Sequence, residues 1–176
     1  MMSQPSFGAQ QNQRPSFQLG TMAKPAQIVS YGYYAEIANP DKSKNLSTKV
    51  YVTDGDTIVK IRHMEQQVAV RHPECKLNSC IVSTKPVADG VVAHLVRAKF
   101  TQQQRNFQTA YPDVIGNVKD LSFGHLVVAK CRVSSWTMRG ECGLTIYGNV
   151  IRCVGASQNP IGEDYAENMD IVWDWS

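Results

Sequence analysis

The fold of this chain is decided by a stretch near its C-terminal end: Leu126–Trp136 (LVVAKCRVSSW), Thr137–Glu141 (TMRGE) and Cys142–Val154 (CGLTIYGNVIRCV). The two flanking segments are rich in residues that favour strands, and the connector contains a glycine, which tolerates the backbone conformation of a tight turn. The pattern therefore predicts a β-hairpin. Gly148 lies inside the second strand, and a glycine there is typical of a bulge or sharp bend, with which small barrels close.

A second hairpin is predicted upstream. Ser47–Thr53 (STKVYVT) alternates and is β-branched, Asp54-Gly55-Asp56 is a turn signal, and Thr57–Ile61 (TIVKI) is the expected partner strand. Further strands are predicted at Gln67–Arg71, Ser79–Thr84 and Val91–Phe100. No segment shows a long stripe of period 3.6, so about six short strands predict an all-β fold, either a small barrel or a sandwich.

The remaining segments are more polar. Thr101–Gln108 is predicted to be a loop or short helix, and Tyr111–Asp120, with its Pro and Gly, a connector. Residues 1–25 contain five Gln, three Pro and no acidic residue, so they are predicted to be a disordered, flexible arm. The expected organisation is this arm, a β-domain over residues 26–155, and a tail over residues 156–176.

The composition is that of one packed domain. The 176 residues are 43 % hydrophobic and 19 % charged. No run of roughly 18 apolar residues is present, so no membrane-spanning helix is expected. The N-terminal residues lack a basic start followed by an apolar stretch, so no secretory signal is expected. The five cysteines, an odd number, are therefore expected to be thiols in a reducing cytoplasm.

The charge is distributed unevenly along the chain. Residues 157–176 carry five acidic side chains and no Lys or Arg, a net charge of −5. The other 156 residues hold all 18 basic side chains and 10 acidic ones, a net charge of +8. A basic body of this kind should attract polyanions, and the acidic tail should attract cationic surfaces, including the body itself.

The tail combines acidic residues with bulky apolar ones, which is typical of a docking peptide. Its expected contact residues are Glu163, Asp164, Glu167, Asp170, Trp173, Asp174 and Trp175. The alternative is that Ile171–Trp175 packs on the body as a last strand, since a C-terminal strand tied to a sheet is common.

Basic residues recur in pairs two positions apart in the predicted strands, which places both side chains of a pair on the same face. Aromatic residues are interleaved with them, and this mixture is what single-stranded nucleic acid requires, cations for the phosphates and rings for the bases. The expected phosphate contacts are Lys60, Arg62, Arg97, Lys99, Lys130, Arg132 and Arg139, and the expected stacking rings are Phe107, Tyr111, Trp136 and Tyr147. The alternative is a solvated sheet face with several of the rings in the core.

Metal and catalytic chemistry find little support. His72-Pro73-Glu74 resembles the opening of a zinc deaminase signature, but no Pro-Cys-x-x-Cys follows. A structural zinc site from His72, Cys75, Cys80 and one distant ligand stays open beside a loop with two ordinary thiols. Cys131, Cys142 and Cys153 are expected to be small buried hydrophobes. No nucleophile elbow, phosphate-binding loop or dinucleotide motif is present, so neither enzymatic activity nor a cofactor is expected.

Residues 121–133 (LSFGHLVVAKCRV) and 140–154 (GECGLTIYGNVIRCV) resemble the replicative single-stranded DNA-binding proteins of bacteriophages. In those proteins a Gly, a small or hydroxyl residue, Asn and Val follow one another in the last barrel strand, and Gly143, Thr145, Asn149 and Val150 match them here. An acidic tail with an aromatic tip follows in that family too. The tip of this chain, Trp173 to Ser176, departs from the family's more acidic ending, which often contains Phe.

The resemblance implies a small OB-type barrel and non-catalytic binding of single-stranded DNA (ssDNA), which is coated and protected during replication, recombination or repair. It also implies a tail that recruits replication proteins such as a polymerase, helicase or primase. From the charge split, we further expect the tail to occupy the basic groove when no DNA is bound. The main alternative is a viral coat or structural β-sandwich protein with a flexible arm, and in either case homo-oligomers are possible.

Overall fold

The computed structural model describes residues 16–33, 45–101 and 106–162. Within these ranges the chain forms one helix, α1 (Gly55–Arg71), and two short 3₁₀ turns, Ala88–Gly90 and Val118–Asp120. The strands in the same ranges are β1 (Ser16–Leu19), β2 (Ala26–Tyr33), β3 (Asn45–Val52), β4 (Lys76–Leu77), β5 (Ile81–Pro86), β6 (Val92–Thr101), β7 (Phe107–Thr109), β8 (His125–Met138) and β9 (Glu141–Ala156).

Five of the strands close into a barrel in the order β2–β3–β6–β9–β8 and back to β2. The β6–β9 pairing is parallel, and the other four pairings are antiparallel. A five-stranded Greek-key barrel with this order is an OB-type fold, so the predicted fold class is confirmed. The two-sheet sandwich that the coat-protein alternative requires is not what the described residues form.

The remaining strands extend the barrel at its edges. β1 pairs with β8, β5 with β6, and both β4 and β7 with β9. Alternation along each barrel strand sends apolar side chains inward, where Val50, Val96, Phe100 and Ile146 are buried in one core cluster. The intervening residues of the same strands point outward, and this alternation positions the candidate site.

The hairpin that was expected to decide the fold is present as β8 and β9, joined at Arg139 and Gly140. The bulge expected at Gly148 is also present: Lys130 pairs with Val150 and Cys131 pairs with Gly148, which leaves Asn149 as the extra residue. Gly148 faces the interior, where an added Cβ would lie 2.6 Å from the Phe100 ring. No larger residue fits this position without displacing that ring.

The second predicted hairpin is wrong in its second half. Ser47–Thr53 corresponds to β3, but the expected strand Thr57–Ile61 and the expected strand Gln67–Arg71 both lie in α1. The helix begins after Asp54, whose Oδ2 accepts a hydrogen bond of 2.6 Å from the Thr57 hydroxyl.

The helix forms because its apolar positions are buried at helical spacing. Ile58 and Ile61 join the barrel core, and Val68 packs with Val133 and Leu144. This stripe of period 3.6 was not anticipated, since Glu65 and Thr57, both buried, interrupt its hydrophobic pattern. Burial of one helix face therefore outweighs the preference of β-branched residues for strands.

Other sequence expectations are met more closely. Val91–Phe100 and Ser79–Thr84 correspond to β6 and β5, and Tyr111–Asp120 is a connector that includes the second 3₁₀ turn. The predicted loop Thr101–Gln108 is wrong at both ends, since Thr101 ends β6 and Phe107 and Gln108 belong to β7. Residues 102–105 lie outside the described residues. In the part of the chain that the structure describes, α1 is too short and too polar to span a membrane.

Both ends of the β-domain extend beyond the predicted limits of residues 26 and 155. Ser16–Leu19, predicted as part of the arm, form β1, in which Leu19 is fully buried and Phe17 packs on the core. Apolar residues every second position account for this, although the surrounding composition is polar. After β9, the Gln27 side chain donates to the Ile161 carbonyl (2.9 Å) and accepts from its amide (3.0 Å). Residues 1–15 and 163–176 lie outside the described residues.

Replacing Gly148 by Ala should destabilise the barrel, because the new methyl group meets the Phe100 ring. We expect a loss of about 1–3 kcal/mol in the free energy of unfolding, measured by urea denaturation. Gly55→Ala is the matched control, since an added Cβ there meets nothing within 4 Å. Equal stability of the two variants would contradict the close approach at Gly148.

Candidate nucleic-acid interface

Strand pairing places a continuous row of outward side chains across the barrel. Ser47 of β3 is paired with Lys99 of β6, Lys99 with Tyr147 of β9, Tyr147 with Arg132 of β8, and Arg132 with Ser16 of β1. Two of the predicted phosphate contacts are thereby brought to either side of a predicted stacking ring. From β8 to β3 the row crosses three inter-strand gaps, or roughly 14 Å.

A second row lies beside the first. Lys49 of β3 is directly opposite Arg97 of β6, and both side chains point outward. Like charges directly opposite one another destabilise a sheet, so this arrangement is costly until an anion neutralises it. Among the described residues, no carboxylate lies within ion-pair distance of Lys49 or Arg97. We call the surface formed by Lys49, Arg97, Lys99, Arg132, Trp136 and Tyr147 the cationic face.

Lys49 was missed by the sequence analysis. It stands alone between Thr48 and Val50, with no second basic residue two positions away, so the search for pairs did not find it. The alternation in Ser47–Thr53 did contain the signal, because it places Lys49 on the outward side of β3. Its position opposite Arg97 follows from the strand register.

Arg97 is held in place by the segment between β4 and β5. Its guanidinium donates to the Ser79 carbonyl (2.8 Å) and to Asn78 Oδ1 (3.1 Å). Its backbone amide donates to the Cys80 carbonyl (2.9 Å). These neutral acceptors orient the guanidinium without cancelling its charge, so the side chain can still attract a phosphate.

The Trp136 ring lies over Gly143 of β9, a position that has no side chain. The residue is paired with Gly143, where an added Cβ would lie 2.9 Å from the indole ring and 2.5 Å from the Asn78 carbonyl oxygen. The half-buried ring, together with Arg97, Lys99 and Thr145, lines a pocket of about 210 Å³, the tryptophan pocket. A flat ring that shares a pocket with two cations suits a nucleobase and its flanking phosphates.

A second pocket of about 480 Å³ lies next to the first. Lys49, Lys76, Arg97 and Glu141 contribute to its lining, and we call it the lysine pocket. Arg97 belongs to both pockets and forms the wall between them. Lys76, also absent from the predicted set, is brought here by the short pairing of β4 with β9. Three cations against one carboxyl group make this pocket suited to phosphate.

Tyr147 is half-buried, and the Lys99 ammonium lies 6.0 Å from the centre of its ring. This distance is at the outer limit of a cation–π contact. The ammonium group and the ring therefore reach the surface side by side, one for phosphate and one for base.

Arg132 and Lys130 share the outward face of β8, as predicted, and both are exposed. Lys130 is paired with Gln18 and with Val150, so the bulge at Asn149 lies between it and the row that contains Arg132. Arg139 is exposed in the β8–β9 turn with a positive φ of 52°. Both extend the positive charge beyond the two pockets.

Lys60 and Arg62 do not form the predicted pair. They lie on α1, where two residues are separated by about 200° around the axis, so they cannot share a face. Both are exposed, and Arg62 is close enough to His94 to affect it. The pKa of His94 is lowered, first by burial and then by the Arg62 charge.

Phe107 and Tyr111 are also separate from the cationic face. The Phe107 ring packs against the core from β7, so it offers little surface for stacking. Tyr111 is 47 % exposed, but it lies near Gly155, at the end of β9 opposite to Gly143. The predicted tail contacts, residues 163–175, lie outside the described residues.

The residues considered for zinc do not converge. The Cys80 thiol is buried, and its pKa is raised to about 12 by that burial and by the neighbouring Glu65. Cys75 instead lies beside Glu74, with its sulfur 3.7 Å from Oε1. Within the described ranges, no group of three or more His, Cys, Asp or Glu side chains is arranged to hold a metal ion.

By sequence, the chain matches no protein-family model and no curated protein. By fold, it is similar to the single-stranded DNA-binding protein of bacteriophage Enc34, with a TM-score of 0.51 at 12 % identity over 89 % of each chain. A C-terminal truncation of that protein gives 0.53 at 10 % identity, covering 83 % of this chain and 88 % of the other. The single-stranded DNA-binding protein gp2.5 of bacteriophage T7 gives 0.48 at 12 % identity, covering 88 % and 94 %. The resemblance seen in the sequence is confirmed as a likeness of fold.

The burial of the thiols gives a test of this geometry. With Ellman's reagent at pH 8, we expect Cys75 to react before the other thiols in the folded protein, because it is partly exposed, even though burial and the neighbouring Glu74 raise the pKa of its thiol. The buried thiols Cys80, Cys131, Cys142 and Cys153 should react only on unfolding, and the raised pKa of Cys80 and of Cys131, each about 12, slows them further.

Cys75→Ser is the control and should remove the fast phase, and a metal chelator should leave the count of fast thiols unchanged. A chelator that releases further thiols would contradict the placement of Cys75 and Cys80 and would restore the zinc alternative.

Proposed function

We propose that this protein binds single-stranded DNA along the cationic face and coats it during replication, recombination or repair. The observation that carries the proposal is the Lys49–Arg97 pair on an open sheet face, next to two half-buried rings. Two like charges held together without an intervening carboxylate are stabilised by a bound polyanion, and the adjacent Trp136 and Tyr147 supply surfaces for unpaired bases.

The position of the face in the fold supports the same function. β3 and β6 are the second and third strands of the barrel, and OB-type barrels bind oligonucleotides on the face of those two strands. The turn between β8 and β9, which carries Arg139, is the loop between the fourth and fifth barrel strands, a second element used in such folds. The fold neighbours from Enc34 are single-stranded DNA-binding proteins by name.

The proposed path uses the two pockets in series. A strand entering beside Arg132 and Tyr147 would pass Lys99, place a base against Trp136, and lay its backbone in the lysine pocket. Phosphate contacts give affinity that falls with salt, and stacking gives affinity that tolerates different sequences. The proposed activity is binding without chemistry on the strand, in the cytoplasm of a host cell.

The expected effect of Lys49→Ala is weaker binding of a fluorescein-labelled oligo-dT, measured by anisotropy at several NaCl concentrations. Removal of one phosphate contact should lower the slope of log K against log[salt] by about 1. Trp136→Ala should cost about 1–3 kcal/mol of binding free energy, as for one stacked base.

Lys119→Ala is the matched control for Lys49→Ala. It removes the same charge from an exposed residue of the 3₁₀ turn, outside the cationic face. If both lysine variants bind oligo-dT as the parent protein does, or if both lose the same amount, the proposed interface is wrong.

We further propose that the tail, residues 163–176, competes with DNA for the cationic face and, when released, recruits replication proteins. Its acidic residues are the charge complement of this surface. Truncation after Gly162 removes the tail and keeps the contact between Gln27 and Ile161.

The truncated protein should bind oligo-dT more tightly than the full chain, and the difference should shrink as salt is added. A full-length variant with its tail carboxylates changed to amides separates charge from length and should behave like the truncation. Equal affinity of the full chain and the truncation at low salt would refute the competition.

A further inference from the structure

Glu65 is a buried acidic residue on α1, with 3 % of its surface exposed. Its carboxyl oxygens accept hydrogen bonds from the Ser79 hydroxyl and from the Cys80 backbone amide, both at 2.9 Å. Among the described residues, no basic side chain lies within ion-pair distance of Glu65. A buried carboxyl group with neutral partners adds little to the free energy of unfolding compared with an apolar side chain. Its role is therefore sought in the segment that its hydrogen bonds order.

The segment that Glu65 holds is the one that positions Arg97. Ser79 donates its hydroxyl inward to Glu65 and presents its carbonyl outward to the Arg97 guanidinium, at 2.8 Å. Cys80 donates its amide to Glu65 and accepts from the backbone amide of Arg97, at 2.9 Å. Ser79 and Cys80 are thus held by Glu65 of the helix, and their carbonyl groups in turn hold Arg97 of the sheet.

Arg97 needs such support because of its neighbour. Lys49 lies directly opposite on β3, and repulsion between the two cations would turn a free guanidinium away. The Ser79 carbonyl and Asn78 Oδ1 keep it instead at the wall between the tryptophan pocket and the lysine pocket. Without this wall, the two pockets would not present adjacent base and phosphate sites.

We propose that Glu65 is a positioning residue for single-stranded DNA binding, acting through residues 78–80 on Arg97. This inference rests on the function proposed above. The inference predicts the direction in which the affinity changes. Glu65→Gln removes a negative charge, and charge alone would strengthen binding of a polyanion. Loss of a carboxyl acceptor, however, frees Ser79 or Cys80, loosens Arg97 and weakens binding.

The test is a double-mutant cycle on the full chain. The parent protein, Glu65→Gln, Arg97→Ala and the double variant are titrated into fluorescein-labelled oligo-dT at several NaCl concentrations. Each single variant should bind roughly fivefold more weakly, with the salt slope reduced by about 1. The double variant should bind as Arg97→Ala alone, since Glu65 then has nothing left to position.

Asp56→Asn is the matched control, because it removes one acidic charge from an exposed residue in the first turn of the same helix. It should leave binding unchanged or slightly tighter. Ser79→Ala is the second probe: it removes the hydroxyl that bonds Glu65 but keeps the carbonyl that bonds Arg97, and it should weaken binding in the parent background only. If circular dichroism shows that Glu65→Gln does not fold, the Ser79→Ala and Arg97→Ala cycle decides.

The outcomes separate the two proposals. If the parent protein does not bind oligo-dT, or if Arg97→Ala binds as the parent does, the proposed interface fails and the inference fails with it. If Arg97→Ala weakens binding but the Glu65 and Ser79 variants bind normally, or if their effects add to that of Arg97→Ala, the interface stands and the positioning role is overturned.

Discussion

The close approach of Gly148 to the Phe100 ring is the contact on which the rest of the structure depends. β9 has sixteen residues, and it pairs antiparallel with β8 along one edge and parallel with β6 along the other, so the barrel closes at this strand. The bulge at Asn149 bends the strand, and the missing side chain at Gly148 lets β9 come against the aromatic ring that fills the interior. The same pairing sets Lys99 beside Tyr147 on the outside. The β6–β9 pairing therefore both closes the core and brings these outer side chains together.

Sequence patterns anticipated the parts of the fold that local residues determine. The β8–β9 hairpin, the bulge at Gly148 and strand β6 follow from alternation, turn chemistry and the special role of glycine in strands. The helix did not follow, because Thr57–Ile61 is β-branched and comes after a turn signal. Its helical conformation depends on burial of Ile58 and Ile61 inside a barrel whose other walls lie far away in the sequence. Tertiary contacts of this kind leave only a weak trace in a short local window.

In the candidate site, too, local spacing predicted some neighbours, and others depend on contacts between distant segments. Spacing of two residues correctly placed Arg97 with Lys99 and Lys130 with Arg132 on common faces, because those segments are strands. It failed for Lys60 and Arg62, where the period is helical. No local pattern reveals that Lys49 is opposite Arg97, or that Lys76 joins them, because these neighbours are fixed by register and by a two-residue parallel pairing. The spacing of charges along a strand predicts which side chains share a face, but the pairing of strands determines which of them become neighbours.

The two-way hydrogen bonding between the buried Gln27 side chain and the backbone of Ile161 fixes the end of the described chain against the barrel. From Gly162, the fourteen remaining residues have a contour length of at most roughly 50 Å. Whatever they bind on the same molecule is thus met at the high effective concentration of a short tether, of millimolar order. Under the proposed competition, a weak intrinsic attraction would then be sufficient for the tail to occupy its own barrel, and a long polymer that engages several barrels at once would still displace it.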